Sequence, residues 1–133
     1  MNNTQCKLQM LDLYFSKYDF THIREKEDTE YSTSFRIEYA INSTDDTKVK
    51  VTIDTSIANS SETVKLNLQT VGIFQIEKND IDDNTYEDLV KMNTIAIIFP
   101  FIRSQVSLLT TQPGMAPIVM PPININALMF TEN

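Results

Sequence analysis

Few of the 133 residues carry the reactive side chains that catalysis needs. His22 is the only histidine and Cys6 is the only cysteine. Acid–base or nucleophilic catalysis requires such a group beside a partner base or nucleophile, and none is indicated at a known spacing. A single cysteine also cannot form a disulfide within the chain. The sequence therefore predicts a protein that is not an enzyme.

Binding of a metal ion or a nucleotide has equally little support in the sequence. The acidic run 80–84 resembles an alternating oxygen-ligand loop, but it lacks the central glycine and the correctly spaced closing glutamate of a calcium loop. Gly72 and Gly114 are the only glycines, so a glycine-rich phosphate loop cannot be built. We predict no cofactor and a mechanism that does not use ATP.

The most unusual segment is apolar and rich in proline. Between Met92 and Asn133 only Arg103 and Glu132 are charged, and all five prolines fall there with four of the six methionines. A soluble protein must either bury such a segment or use it to hold something apolar, and methionine side chains adapt to varied partners. Two interpretations of this segment are therefore open. It forms core and subunit interface, or it forms a binding surface for an apolar ligand.

Overall charge and composition exclude several other classes. The net charge is −7 without a basic cluster, which argues against nucleic-acid binding. Residues 1–4 are polar and no apolar stretch of a signal peptide follows them. The longest apolar run, Ile95 to Ile102, is interrupted by Pro100 and is too short to cross a membrane. We expect a single domain of residues 1–133, located in the cytoplasm.

Alternation of apolar and polar residues predicts a sheet. Residues 34–42, 48–57 and 64–69 alternate as half-buried strands do. The short polar links between them favour antiparallel neighbours and a three-stranded meander. An earlier strand is expected between Lys7 and Tyr18, where the apolar positions change from even to odd numbers. A β-bulge near Met10–Leu11 would explain that change.

The spacing becomes helical from Thr94 onward, after a predicted helical turn or two over 86–92. A first stripe comprises Ile95, Ile98, Phe99, Ile102, Val106 and Leu109, and a second stripe comprises Ile97, Phe101 and Leu108. A helix with two apolar sides needs two partners, which we expect to be the sheet and another subunit. Pro100 should kink the helix or mark its start, and Pro113–Gly114 should end it. Residues 113–130 are expected to be mostly extended.

Three motifs resemble those of the SecB family of bacterial export chaperones. Residues 71–76 (VGIFQI) resemble the family's Gly-Ile-Phe segment at the end of the last strand. Residues 97–103 (IIFPFIR) resemble its Leu-Phe-Pro-Tyr-Ala-Arg run, and residues 120–128 (MPPININAL) its Ala-Pro-Val-Asn-Phe-Asp-Ala-Leu segment. The motifs occur in family order and at similar spacing after four strands.

The resemblance implies an α+β fold with a four-stranded antiparallel sheet. One long kinked helix and a proline-rich helix-connecting loop would pack on one face, and a second helix would be short because the sequence stops at Asn133. The resemblance also implies a homotetramer, built as a dimer of dimers, that acts as a cytoplasmic holdase for unfolded or precursor polypeptides in protein export. The alternative is a SecB-fold protein dedicated to one partner, such as an antitoxin or an envelope factor.

The resemblance also indicates which residues would carry these roles. The predicted peptide-binding residues are Ile73, Phe74, Phe99, Phe101, Met115, Ile118, Val119, Met120 and Ile123, although core packing is an alternative for the aromatic ones. The predicted oligomer interface consists of Ile97, Phe101, Ser104 and Leu108. A contact with the export motor SecA is implied as well, for which Glu62 and Asp19 match the family's acidic positions only loosely.

Overall fold

A computed structural model describes residues 7–24, 28–45, 47–77 and 83–121. These ranges hold the strands β1 (Lys7–His22), β2 (Tyr31–Ile41), β3 (Lys48–Asn59) and β4 (Val64–Glu77), followed by the helix α1 (Asp83–Leu109). The strands form one antiparallel sheet in the order β1-β4-β3-β2. This is a Greek-key arrangement, in which the first strand lies beside the last strand of a meander. The predicted α+β fold and the meander are confirmed.

The two faces of the sheet differ because side chains alternate along each strand. Val51, Ile53, Leu66 and Leu68 of the central strands β3 and β4 are fully buried on one face. The intervening residues, such as Asn67, point to the opposite face and are largely polar. The apolar face is therefore the one that a second layer must cover.

Two β-bulges account for the irregular pattern of β1. Its pairing with β4 skips one residue between Met10 and Asp12, and again between Phe15 and Lys17. Each extra residue reverses the direction of the side chains that follow. The bulge expected near Met10 is confirmed. The second bulge was not predicted, and it lets the strand continue to His22 beyond its expected end.

The helix α1 lies across the apolar face and is held there by the first stripe. Of that stripe, Ile95, Ile98, Phe99, Ile102 and Val106 are at most 6% exposed. The ring of Phe99 meets that of Phe35 in β2 edge to face, with 5.7 Å between centroids. Gly72 in β4 permits the close approach, because a Cβ atom there would stand 2.9 Å from Cδ1 of Ile98. The sheet and the helix thus share one core.

The helix differs from its prediction at both ends. It is continuous over 27 residues from Asp83, so Pro100 lies inside it and does not mark its start. Pro100 is exposed, on a side of the helix that the sheet does not cover. The helix ends at Leu109, before Pro113–Gly114. Its last carbonyl groups accept hydrogen bonds from backbone and side chains: Thr111 N donates to Leu108 O at 3.3 Å, and Gln112 Nε2 donates to Leu109 O at 2.9 Å.

The segment Tyr86–Leu109 is long and apolar enough to cross a membrane by length and composition. The expectation from the sequence considered only the apolar run Ile95 to Ile102, and it missed the longer apolar helix around that run. In this structure one side of that helix packs on the sheet, which is the environment of a core helix.

Candidate functional site

The chain reverses direction after α1 and returns along it. Gly114 makes this turn with a positive φ of 83°, a conformation that side-chain-bearing residues rarely adopt. The Arg24 side chain lies beside it, 3.3 Å from where a Cβ atom of Gly114 would be. The following residues, Met115–Pro121, have no regular secondary structure. We call Met115–Pro121 the strap. Its extended course confirms the prediction for the described part of 113–130.

Three side chains of the last turns of α1, or just after it, hold the strap. Thr110 Oγ1 accepts a hydrogen bond from Ile118 N at 2.8 Å. Ser107 Oγ donates to Ile118 O at 3.2 Å. Arg103 Nε donates to Met120 O at 3.1 Å. All three bonds go to the strap's backbone, so they fix its path without depending on its side chains.

The strap's side chains alternate between core and solvent. Ile118 and Met120 are only 7% and 4% exposed, and both belong to the main apolar core. Val119 between them is 75% exposed. Such alternation is that of an extended strand with one buried side. The strap therefore covers part of the core and presents an apolar residue outward.

Two concave surfaces flank the strap. The inner cavity, about 830 Å³, lies between the strap and the sheet and is lined by Tyr31, Thr33 and Val64 among others. The outer groove, about 590 Å³, lies between the strap and α1 and is lined by Ser104, Leu108 and Val119 among others. A chain segment bound in either place would contact the strap.

Polar contacts fix the end of the sheet beside the inner cavity. The Asp28 carboxylate accepts hydrogen bonds from Ser60 Oγ at 2.7 Å and Ser61 N at 2.9 Å, which lower the pKa of Asp28 to about 2. Asn59 Nδ2 donates to Asp28 O at 3.1 Å. Burial raises the pKa of Tyr31, and the charge of Asp28 adds to this. One wall of the cavity is thus polar and braced between two loops.

The structure distributes the nine predicted peptide-binding residues over different environments. Phe74, Phe99, Ile118 and Met120 are buried in the core, whereas Phe101 and Val119 are exposed and Met115 is half-buried. Ile73 pairs with Lys50 on the sheet face opposite to α1, so the sheet separates it from the others. Ile123 lies outside the described residues. Of the described residues among these nine, only Met115, Val119 and Phe101 offer substantial apolar surface on the helix side.

The predicted interface residues share the side of α1 that faces away from the sheet. Phe101 is 44% exposed, Leu108 is 65% exposed, Ser104 is exposed and Ile97 is half-buried. An uncovered apolar stripe of this kind is typical of surfaces that contact another protein. Its assignment to a subunit interface stays a prediction.

Sequence reasoning missed the residues that hold the strap. Arg103, Ser107 and Thr110 were not singled out, although they recur at helical spacing in an otherwise apolar segment. Residues three and four apart lie on the same side of a helix, so their spacing was a usable signal. What could not be read was their partner, because the strap returns to them only in three dimensions.

The sheet face opposite to α1 carries charges of both signs. Asp19 is exposed there, beside Asn67 in the neighbouring strand. Arg36 forms an ion pair with Glu38 at 3.0 Å. Glu62, in the β3–β4 turn, pairs with Lys65 at 2.7 Å, and this lowers the pKa of its carboxyl.

The residues that could do chemistry remain dispersed. His22 lines the inner cavity and is half-buried. Within residues 7–24, 28–45, 47–77 and 83–121, no three His, Cys, Asp or Glu side chains are grouped as metal ligands would be. Cys6 and Asp80 to Asp82 lie outside the described residues.

Known proteins of similar sequence include export chaperones. Protein-export protein SecB of Saccharophagus degradans is 28% identical over 92 residues, covering 66% of this chain and 54% of the relative. An uncharacterised protein of Methanocaldococcus jannaschii is 28% identical over 83 residues, covering 62% of this chain and 52% of the relative. The chain therefore spans about half the length of these relatives.

Solved structures share the fold of this chain, and a family model identifies its family. A SecB-like chaperone of Mycobacterium tuberculosis, in complex with a ChAD peptide from the HigA1 antitoxin, superposes with a TM-score of 0.71 at 14% identity, over 87% of this chain and 90% of that one. A protein of unknown function from Streptococcus agalactiae gives 0.52 at 9% identity, over 88% and 98%. The family model for preprotein translocase subunit SecB matches residues 3–133. The chain belongs to the SecB family.

Proposed function

We propose that this protein is an ATP-independent holdase, which binds unfolded or precursor polypeptides in apolar grooves. The observation that carries the proposal is the uncovered apolar surface around the outer groove. Val119 is 75% exposed there, and it belongs to a strap that is itself apolar. Membership in a family of chaperones supports the same function.

Binding would rest on apolar burial together with hydrogen bonds to the client's backbone. Burial contributes roughly 25 cal/mol per Å² and does not require a particular side chain. A groove of this kind therefore accepts many sequences, as a holdase must. Met115 and Val119 are the strap residues best placed to make such contacts, since both have exposed surface.

We propose that the second stripe of α1 is covered by another copy of the chain in a homotetramer. Phe101 and Leu108 are large apolar residues that are exposed in the single chain, and they lie on the side of α1 that the sheet leaves free. Contact with another subunit would remove their apolar surface from water. The dimer of dimers is the arrangement that the family resemblance implies. Light scattering at several protein concentrations measures the mass and decides between dimer and tetramer.

A test of the holdase function dilutes a chemically unfolded protein into buffer without ATP, with this protein at equimolar subunits. Suppressed aggregation is expected. The variant Val119→Ser should suppress it less well. Ile41→Ser is the matched control, because Ile41 is a similarly exposed aliphatic residue at the opposite end of the sheet from the strap. Unsuppressed aggregation by the folded wild-type protein would contradict the proposal.

A dedicated partner is the second candidate function. It is favoured by the SecB-like chaperone of the same fold, which was solved with an antitoxin peptide. A dedicated binder would retain one protein in a pull-down from its native cell and would not protect unrelated clients. The aggregation assay with several unrelated clients separates a narrow from a broad client range.

Protein export, the cytoplasmic location and contact with SecA are proposed from family membership alone. Glu62 already pairs with Lys65, and Asp19 lies on the same face of β1 as Lys17. We therefore expect any SecA contact through these two residues to be weak and sensitive to salt. Co-sedimentation of the two purified proteins at low and high salt tests this expectation.

A further inference from the structure

The strap is seated on α1 in the way that a bound extended peptide would be. Two of its side chains, Ile118 and Met120, enter the apolar core at alternate positions, while Val119 points to solvent. Its backbone is held at both Ile118 and Met120 by side chains of, or just after, the helix. An extended segment bound by backbone contacts and alternate apolar pockets is a recurring mode of peptide recognition.

The groups that hold the strap recognise backbone atoms common to every peptide. Ser107 and Arg103 donate to carbonyl oxygens, and Thr110 accepts from an amide. Arg103 is also the only cation between Met92 and Asn133, and hydrogen bonds from a charged donor are stronger than neutral ones. We call these three residues, with the core surface beneath Ile118 and Met120, the seat. The seat requires an extended, uncharged segment with apolar residues two positions apart.

We propose that the seat is itself a binding site for an extended segment of a non-native polypeptide, and that the strap is its resident occupant, which a client displaces. This inference rests on the proposed holdase function. It adds a specific binding site for the client, the seat, and a segment, the strap, that limits the client's access to it. The strap competes as a tethered ligand, whose effective concentration reaches the millimolar range. Free client must therefore compete with it, which keeps binding weak and reversible.

This arrangement gives substitutions on the two sides of the contact opposite effects. Ile118→Ala or Met120→Ala weakens the strap's hold but leaves the seat intact, so client binding should become tighter. Ser107→Ala changes the seat itself, so it should not increase the affinity for the client. If Ile118 and Met120 instead contact the client directly, their substitution must weaken binding. The sign of the change distinguishes the two mechanisms.

The experiment uses the full chain with Ile118→Ala and Met120→Ala together, and a labelled peptide with the sequence of residues 112–121, QPGMAPIVMP. Fluorescence anisotropy should show this peptide binding on the order of tenfold more tightly to the double variant than to wild type, because two buried apolar side chains no longer hold the strap. A control peptide, QPGMAPSVSP, has serine in place of both apolar anchors and should not bind.

Adding Ser107→Ala to the double variant should lower the affinity for the peptide about fivefold, the usual effect of one hydrogen bond. Ser34→Ala is the matched control, since Ser34 is an exposed serine on the sheet face opposite to α1, and it should change nothing. If the double variant loses its helical circular dichroism, Met120→Ala alone replaces it, with a smaller gain in the same direction.

Equal binding of the two peptides, or no gain in affinity over wild type, would overturn the inference. The holdase proposal is judged separately by aggregation in the presence of wild-type protein. Suppressed aggregation without peptide binding to the loosened variant would reject the seat and leave the holdase standing. The opposite result is peptide binding that depends on the two apolar residues and on Ser107, without any suppression of aggregation by the wild-type protein. It would reject the holdase proposal and show only how the strap is held.

Discussion

The two sides of α1 consist of similar residues in opposite environments. Ile98 on the first stripe has no exposed surface, because it packs beside Gly72 and Phe74 of β4. Phe101 and Leu108 on the second stripe are as apolar but lie in solvent in the single chain. Apolar composition alone therefore does not tell which side of a helix builds the fold.

What separates the two sides is the surface that faces each of them. The sheet offers the first stripe an apolar face with a glycine at the closest approach, which fixes the position of the helix. The second stripe faces only the strap's outer groove near Leu108. We infer that the first stripe is needed for folding, whereas the second is available for subunits and clients.

The largest expected effect is on the first stripe. Ile98→Ala should lower the free energy of unfolding by about 2–5 kcal/mol, because the surrounding residues cannot fill the cavity completely. Phe101→Ala removes a larger side chain from the second stripe. This variant should lower the free energy of unfolding far less, as measured by urea denaturation at low protein concentration. Similar losses for the two variants would show that the sides of the helix do not differ in the way proposed.

A smaller effect is expected at the closest approach of helix and sheet. Gly72→Ala places a methyl group 2.8 Å from Cε1 of Phe74 and 2.9 Å from Cδ1 of Ile98, which should destabilise the protein by about 1–3 kcal/mol. The double variant with Ile98→Val removes Cδ1 of Ile98, one of the two carbons that the new methyl would strike. It should be less destabilised than the sum of the single variants, and simple additivity would argue against the steric explanation.

The same difference explains which parts of the fold were predictable. The central strands β3 and β4 were predicted because their alternation is regular and each has one buried face. The end of β1 was missed, since the second bulge falls at Ser16, between Phe15 and Lys17, and a polar residue there marks no buried face. The first part of α1 was predicted only as a helical turn or two over 86–92, because residues 83–93 contain few apolar residues that must be buried.

The candidate site was predictable only in part. The sequence identified the strap through its prolines and methionines, and it separated the two stripes through their spacing. It did not reveal that Ile118 and Met120 point inward, because an irregular segment has no period from which burial can be read. Nor did it reveal the backbone contacts from Arg103 and Ser107, which depend on how the chain returns along α1.

A buried polar group offers a finer test of the sheet face that α1 covers. Thr70 is fully buried on the sheet face beneath the helix, and among the described residues its hydroxyl has no hydrogen-bond partner. Thr70→Val removes this desolvated group at nearly constant volume and should raise the free energy of unfolding by about 1 kcal/mol. Thr52→Val, on the opposite face, serves as the control and should have little effect. A loss of stability at Thr70 would mean that its hydroxyl is bonded in the folded protein.

The smallest effect on the single chain is expected at the exposed end of the second stripe. Leu108→Ser should change the unfolding free energy at low protein concentration by no more than about 0.5 kcal/mol, because Leu108 packs little in the isolated chain. If another copy covers the stripe, the variant should nevertheless lower the mass by light scattering and weaken the dependence of the melting temperature on protein concentration. An unchanged mass and an unchanged concentration dependence would remove Leu108 from the interface. Any subunit contact of the second stripe would then have to come from Ile97 and Phe101.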